Sequence, residues 1–206
     1  MAISFPITLP TAQGFTRVTI APRSAVAINT SPFTGQQQVY QHPLQMLTAS
    51  IELPPMGRAD AATFIAALIS LQGAAGTFIF GDPAWTSPRG IGTGTPLING
   101  AGQTGTTLNT DGWTNSQTNI LRAGDWIQVG TGSTRQLCMV LVDANSNGAG
   151  EAVLELFPRI RTAYADNVAI TTTNPKGVWR LAGETSFVQD VGAITRGIVV
   201  NAMEAF

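Results

Sequence analysis

One stretch of this chain has the spacing of an amphipathic helix, and that feature sets most of what the rest can fold into. From Ala61 onward the apolar side chains fall at Ala61, Phe64, Ile65, Leu68, Ile69 and Leu71, which lays a single apolar stripe along one helix face. Pro54-Pro55 stops the strand before it, Gly57 stands at the N-cap position, and Asp60 lies in the first turn, where the helix dipole favours a negative charge. Gly73 is placed as the left-handed glycine that ends the helix. Gly76 then turns the chain into Thr77-Phe78-Ile79-Phe80, a run of strong strand preference closed by Gly81-Asp82-Pro83. Almost everything else reads as β, so the expectation is a mainly β protein with one docked helix.

Residues 17–20 and 25–28 read as short strands, and 29–35 as a loop. Along 45–53, Leu47, Ala49, Ile51 and Leu53 face one way and Met46, Thr48, Ser50 and Glu52 the other, as in a strand with one wet or partner-facing side. After Pro88 the composition changes. Residues 89–112 are rich in Gly, Thr, Asn and Gln with little to bury, and are expected to be a loop-rich approach to a new unit. Strands are expected at 125–129, 136–142, 152–157 and 168–171, with 136–142 apolar on both faces and therefore central. Ala152, Leu154 and Leu156 alternate with Val153 and Glu155 as in a more exposed strand. Short strands at such intervals predict a small barrel or sandwich. Residues 177–181, 185–190 and 194–205 complete the pattern, with Val191-Gly192-Ala193 as a turn. The Pro- and Gly-rich junctions divide the chain into 1–87 with 177–206, a β-barrel or sandwich domain with one packed helix, and 88–176, a small all-β, barrel-like domain inserted into it.

Composition narrows the functional classes. Charged residues make up 11% of the chain, against about 25% in ordinary soluble domains. Such a surface suits a protein largely covered by neighbours, and also suits a Thr-, Ser- and Asn-rich β surface of no special role. The net charge of −1, with ten scattered arginines, argues against nucleic acid as a partner. Cys138 is the one cysteine, so an internal disulfide is impossible and a buried thiol is expected. No basic segment leads into an apolar run near the start, and the longest apolar run, 64–69, is far short of the ~20 residues a bilayer span needs. Folding in the cytosol without membrane insertion is the expectation.

Three motifs imitate sites. Gly100-Ala101-Gly102-Gln103-Thr104-Gly105 spells the dinucleotide fingerprint, but Thr106-Thr107-Leu108-Asn109 starts no helix to receive a pyrophosphate, so a flexible loop is expected. Asp143-Ala144-Asn145-Ser146-Asn147-Gly148 imitates half of a calcium loop, yet its twelfth position is Leu154; Glu151 aside, a hairpin turn accounts for the same residues. His42 is the one histidine, too few for a histidine-based zinc site, and no nucleophile elbow accompanies it. No pair of carboxylates is singled out. No catalytic residue, metal ligand or cofactor is therefore assigned. Of the four tryptophans, Trp126 reads as core, and Trp113, after Asn109-Thr110-Asp111-Gly112, reads as exposed and able to stack on a sugar ring.

The order of the short motifs carries a resemblance. The Pro-Pro approach and apolar helix, then Leu71-Gln72-Gly73-Ala74-Ala75-Gly76-Thr77-Phe78 and Gly81-Asp82-Pro83-Ala84-Trp85, are similar to the distal tail proteins of long-tailed bacteriophages and phage-like gene transfer particles. The likeness continues through Leu121-Arg122-Ala123-Gly124-Asp125-Trp126, Phe157-Pro158-Arg159-Ile160-Arg161 and Asn174-Pro175-Lys176-Gly177. The resemblance implies a structural virion protein whose first domain forms a homohexameric ring and whose inserted β domain projects outward. Such a ring joins the tail tube protein to the tip or baseplate hub proteins, and is folded and assembled in the host cytoplasm. On this reading Gly73, Gly76, Phe78 and Asp82 belong to the ring core, and Arg159 and Arg161 are candidate inter-subunit or inter-domain ion-pair partners. The alternative is a tail-associated module that binds a carbohydrate or receptor on the host surface through Trp113.

Overall fold

The computed structural model of the protein describes residues 3–11, 14–183, 185–189 and 194–206. The apolar stripe forms α1 (Arg58–Ser70), with Gly57 as N-cap and Asp60 in the first turn. It buries Ala61, Phe64, Ile65 and Leu68, and Leu71 just beyond is fully buried. Ile69 does not follow the stripe: it is 67% exposed. Gln72 and Gly73 then turn the chain in the left-handed region, at φ 51 and 70. At Gly76 a Cβ would stand 2.7 Å from the Leu71 carbonyl oxygen and from a ring carbon of Phe5, so a side chain does not fit.

The strands are β1 (Ile7–Thr8), β2 (Arg17–Thr30), β3 (Gln37–Glu52), β4 (Met56–Gly57) and β5 (Phe78–Phe80). They continue as β6 (Gly94–Ile98), β7 (Gly105–Trp113), β8 (Trp126–Val129), β9 (Gln136–Val140), β10 (Ala152–Ile160) and β11 (Ile170–Thr171), then β12 (Gly177–Leu181), β13 (Ser186–Gln189) and β14 (Ile194–Glu204). The chain is thus mainly β with one α-helix among the described residues. One sheet runs β1-β5-β12-β14-β3-β2, with β4 and β13 also paired to β14; the other runs β11-β8-β9-β10-β7-β6. A bridge between Leu97 and Ala169 brings the ends of the second sheet together, so it is a nearly closed barrel. Among the described residues only β1 with β5 pairs in parallel.

Several expectations need correction. The strands expected at 17–20 and 25–28 are one strand with an irregularity between Ser24 and Val26, and β3 starts at Gln37, well before residue 45. The loop between them is 31–36, close to the 29–35 expected. The two segments supply each other's backbone hydrogen bonds, a non-local effect that the prolines and the Gln run conceal. Residues 89–112 contain β6 and much of β7, with Ile98 and Leu108 fully buried. Here the backbone of a threonine-rich segment pairs with β10, which lies some forty residues on. Leu141 and Val142, expected in a central strand, lie beyond β9 and are exposed. The turn expected at 191–193 lies outside the described residues.

Both cores touch the barrel wall. One cluster holds Leu47, Ile51, Phe64, Leu68, Phe78 and Trp179 of the first sheet and its helix, but also Trp126 and Leu137 from the barrel, with Met139 and Phe157 packed against it. The other fills the barrel with residues such as Ile127, Cys138 and Leu154. Successive residues of β8 and β9 therefore point alternately into the barrel and onto the first sheet. This explains why 136–140 is apolar on both faces. The segments that lead into and out of the barrel are adjacent, with Asn174 N donating to Thr86 O at 3.1 Å.

Candidate assembly surface and the seam between the sheets

β2 and β3 pair from Arg17–Glu52 out to Thr30–Gln37, whereas β14 covers β3 only from Thr48 to Glu52. Beyond that point the two strands project as an arm. Every residue from 21 to 44 except Ala25 and Ser31 is exposed, among them Val26, Ile28, Val39, Tyr40 and Leu44. At the tip the Ser31 hydroxyl accepts the amides of Phe33 and Thr34, and Phe33 is held out with 95% of its surface bare. A two-stranded ribbon is marginal in water by itself, and natural edge strands are usually guarded by charge. Between residues 22 and 44 Arg23 is the only charged side chain besides the titratable His42, so the edges of this arm are almost unguarded.

The second polar feature lies at the seam where β10 meets β3. Arg161, just after β10, places Nη2 2.5 Å from Glu204 Oε1 and donates from Nη1 to the Gln45 carbonyl at 2.7 Å. Glu204 Oε2 accepts the amide of Leu47 at 3.2 Å, and the guanidinium lies 4.2 Å from the Phe206 ring centre. Gln45 Oε1 accepts the amide of Arg159 at 2.9 Å, while Gln136 accepts the Arg161 amide and donates to the Arg159 carbonyl. The side chain of Arg161 thus bridges the two sheets. Arg159 contributes its backbone; its guanidinium makes no ion pair within the chain among the described residues.

Burial pushes the Glu204 carboxyl above its ordinary value, against the opposing pull of Arg161 and the Leu47 amide. Burial, and then the Glu204 charge, also raises the Cys138 thiol well above its usual range, so it stays protonated. Tyr164 is pushed up to about 12, chiefly by burial, with its hydroxyl donating to Thr134 O at 2.5 Å. For Glu204 the folded state holds the proton more tightly than the unfolded chain. Its contribution to stability is therefore full below the unfolded value of 4.5 and is lost as pH rises through the raised folded pKa. The melting temperature of the wild type relative to Glu204→Gln should accordingly fall by a few degrees from acid to neutral pH in calorimetry. A wild type that gains on the variant toward neutral pH would contradict the assignment.

The remaining candidates separate cleanly. Gly73 is exposed at the end of α1, and Asp82 is half-buried with Oδ1 accepting the Ala84 amide at 2.9 Å. Gly76 and Phe78 are buried within their own core. Trp113 is 3% exposed, with Nε1 donating to Thr110 Oγ1 at 2.8 Å, because it closes the end of the barrel core in place of lying in a loop. It offers no free ring face for a sugar. In the loop that imitates a calcium site, Asp143, Asn145 and Asn147 spend oxygens on the amides of Ala123, Asn119 and Glu151. Among the described residues no group of three or more metal-ligating side chains stands together. The fingerprint glycines form a turn between β6 and β7 that Gln103 ties down, donating to Asn99, Gly100 and Asn109 carbonyls. Among the described residues no helix is long and apolar enough to cross a membrane. Comparison of the chain with protein-family models and with curated protein sequences finds no match.

Proposed function

We propose that this protein is a structural component of a phage tail tip, a distal tail protein whose copies close into a homohexameric ring joining the tail tube to the tip or baseplate hub proteins. The observation that carries the reading is the arm of β2 and β3, whose apolar side chains and strand edges nothing among the described residues covers. An arm of this kind needs a protein partner, and the order of motifs supports a ring builder as the source of that partner. The mechanism is geometric: heterologous contacts between identical subunits propagate, and where the rotation closes they make a ring. Its partners are copies of itself and the tube and hub proteins, and its place is the virion tail, after folding in the host cytoplasm. The competing reading, a carbohydrate- or receptor-binding module, loses its named aromatic contact with the burial of Trp113.

Light scattering and negative-stain microscopy of the purified protein test this directly. The full chain is expected to form rings, and a variant with residues 24–44 replaced by a short Gly/Ser turn is expected to be a monomer with unchanged melting behaviour, since the arm contributes no buried core residue. A full chain that stays monomeric at tens of micromolar would remove the reading. Rings from the armless variant would detach the arm from assembly.

A further inference from the structure

On the outside of the barrel, where β7 and β10 meet the loop before β10, a cleft of about 360 Å³ is lined mainly by Asn99, Asn109, Asn145, Asn147, Glu151 and Val153. Every residue around it is described, and none is basic or aromatic. Four amide side chains and one carboxylate thus share one concave surface. The wall is held from within the chain. Asn147 Oδ1 accepts the amides of Ala149 and Glu151, and its Nδ2 donates to Glu151 Oε2 at 2.8 Å. Asn145 Oδ1 accepts the Asn119 amide at 2.7 Å, and the Thr110 hydroxyl is engaged by Ala152 O and Trp113 Nε1. We infer that this cleft binds a neutral saccharide.

The groups left free select that ligand. Asn109 meets Gln103 through its backbone, which leaves its side-chain amide without a partner among the described residues. Asn145 keeps Nδ2 as a donor, and the Glu151 carboxylate fills only two of its roughly four acceptor positions, through Asn147 and a long 3.5 Å contact with Asn99. Neighbouring sugar hydroxyls, each both donor and acceptor, match fixed amides set beside a carboxylate. Val153, exposed and opposite Asn109 in the ladder, offers apolar surface to the C–H face of a sugar ring. Other occupants fit less well. An anion meets Glu151 and no cation, and a planar base finds no aromatic side chain to stack on. A divalent cation takes about six to eight oxygens, whereas the one carboxylate here has the N–H donors of Asn147 and Asn99 turned toward it. A peptide needs a slot for a side chain, and this open polar wall has none. The volume lies at the small end of the roughly 300–1,000 Å³ of ligand clefts, which suits one sugar unit. The inference goes beyond the ring reading and is independent of it, since assembly stays with the arm.

The test is saturation-transfer NMR on the full chain with the methyl glycosides of glucose, galactose, mannose and N-acetylglucosamine, each at about 10 mM, which fills a site whose Kd is on the order of 1 mM. At least one glycoside is expected to show transfer to its ring protons. Asn109→Ala, which removes an exposed side chain with no internal partner, should weaken that binding several-fold, and Glu151→Gln should weaken it about tenfold through lost charge-assisted hydrogen bonds. Circular dichroism melts should show both variants folded. No transfer from any of the four glycosides would overturn the inference. Transfer that both variants leave unchanged would put the sugar elsewhere on the chain and overturn it equally. If calcium chloride alone raised the melting temperature of the wild type but not of Glu151→Gln, and no glycoside gave transfer, the cleft would be a cation site and the proposal would fail. Neither substitution touches the arm, so light scattering should give both variants the oligomeric state of the wild type, and the ring reading is judged apart from this one.

Discussion

Asp125→Ala is expected to lower the melting temperature by roughly 10 °C, a larger effect than any other single exposed-loop or turn acid should have. Its carboxylate is fully buried and gathers three backbone amides from two segments: Oδ1 accepts the Arg89 amide at 3.0 Å, and Oδ2 accepts Gly90 at 3.1 Å and Arg122 at 2.8 Å. Its own amide donates to Arg122 O, and its carbonyl accepts from Val140, so the residue ties the way into the barrel to the turn before β8 and to the end of β9. Hydrogen bonds to a charged acceptor are worth about 1.5–3 kcal/mol each, and three orphaned amides together cost about 3–5 kcal/mol once local relaxation is allowed. At ~2–4 °C per kcal/mol for a chain of this size, that gives the stated shift. Asp125→Asn keeps one acceptor but turns a donor toward the other amides, so it should recover only part of the loss. Arg89→Ala is the control: its guanidinium lies 3.4 Å from Asp125 but is 56% exposed, and a solvent-screened pair contributes about 1 kcal/mol or less. Calorimetry that placed Asp125→Ala no lower than Arg89→Ala would refute this account of the turn.

What the sequence made legible was what local spacing determines. The helix is there, with its cap, because an apolar stripe of three-and-four spacing has one stable arrangement on a sheet; it is Gln72, one residue before the expected glycine, that first turns left-handed after the Leu71 cap. Ile69 is the exception, and its reason is external to the stripe: it lines an open groove, where it is left exposed among the described residues. The arm and β6–β7 were not legible. Each depends on a partner strand, and neither Pro22 and Pro43 nor the threonines of 104–110 signal which segment will pair with them.

The polar features show the same division. Arg161 stands out within Phe157-Pro158-Arg159-Ile160-Arg161, but Glu204 is 43 residues away and only the fold brings the two together. Asp125 was visible as part of Ala123-Gly124-Asp125-Trp126, yet a turn aspartate reads as solvated until the amides it collects are known. Trp113 misled for a related reason. Its neighbours are polar, but they alternate along β7, and the indole takes an inward position with Thr110 below it as acceptor.

Replacing residues 91–174 by a short Gly/Ser linker should leave a folded first sheet that melts about 10–20 °C lower than the full chain, with the arm and its assembly intact. All eight strands of that sheet lie outside the excised range, and Thr86 and Asn174 are hydrogen-bonded neighbours, so the linker need span almost nothing. The cost comes from the shared wall. Trp126 and Leu137 leave the first core, along with the partial cover of Met139 and Phe157, and each fully buried large side chain contributes about 1.5–3 kcal/mol. Against this, Glu204 loses Arg161 but regains water, which relieves the burial that raises its pKa. The net loss of about 3–6 kcal/mol is a large part of the roughly 5–15 kcal/mol that a domain has, but less than the whole. Circular dichroism melts and dye binding to the newly bared face measure it. A shortened chain with no cooperative transition would mean that the barrel wall is an indispensable part of the first core, and one that melts with the full chain would mean that the wall adds nothing to it. A folded variant that no longer assembles, beside a full chain that does, would move the contacts between copies from the arm to the barrel.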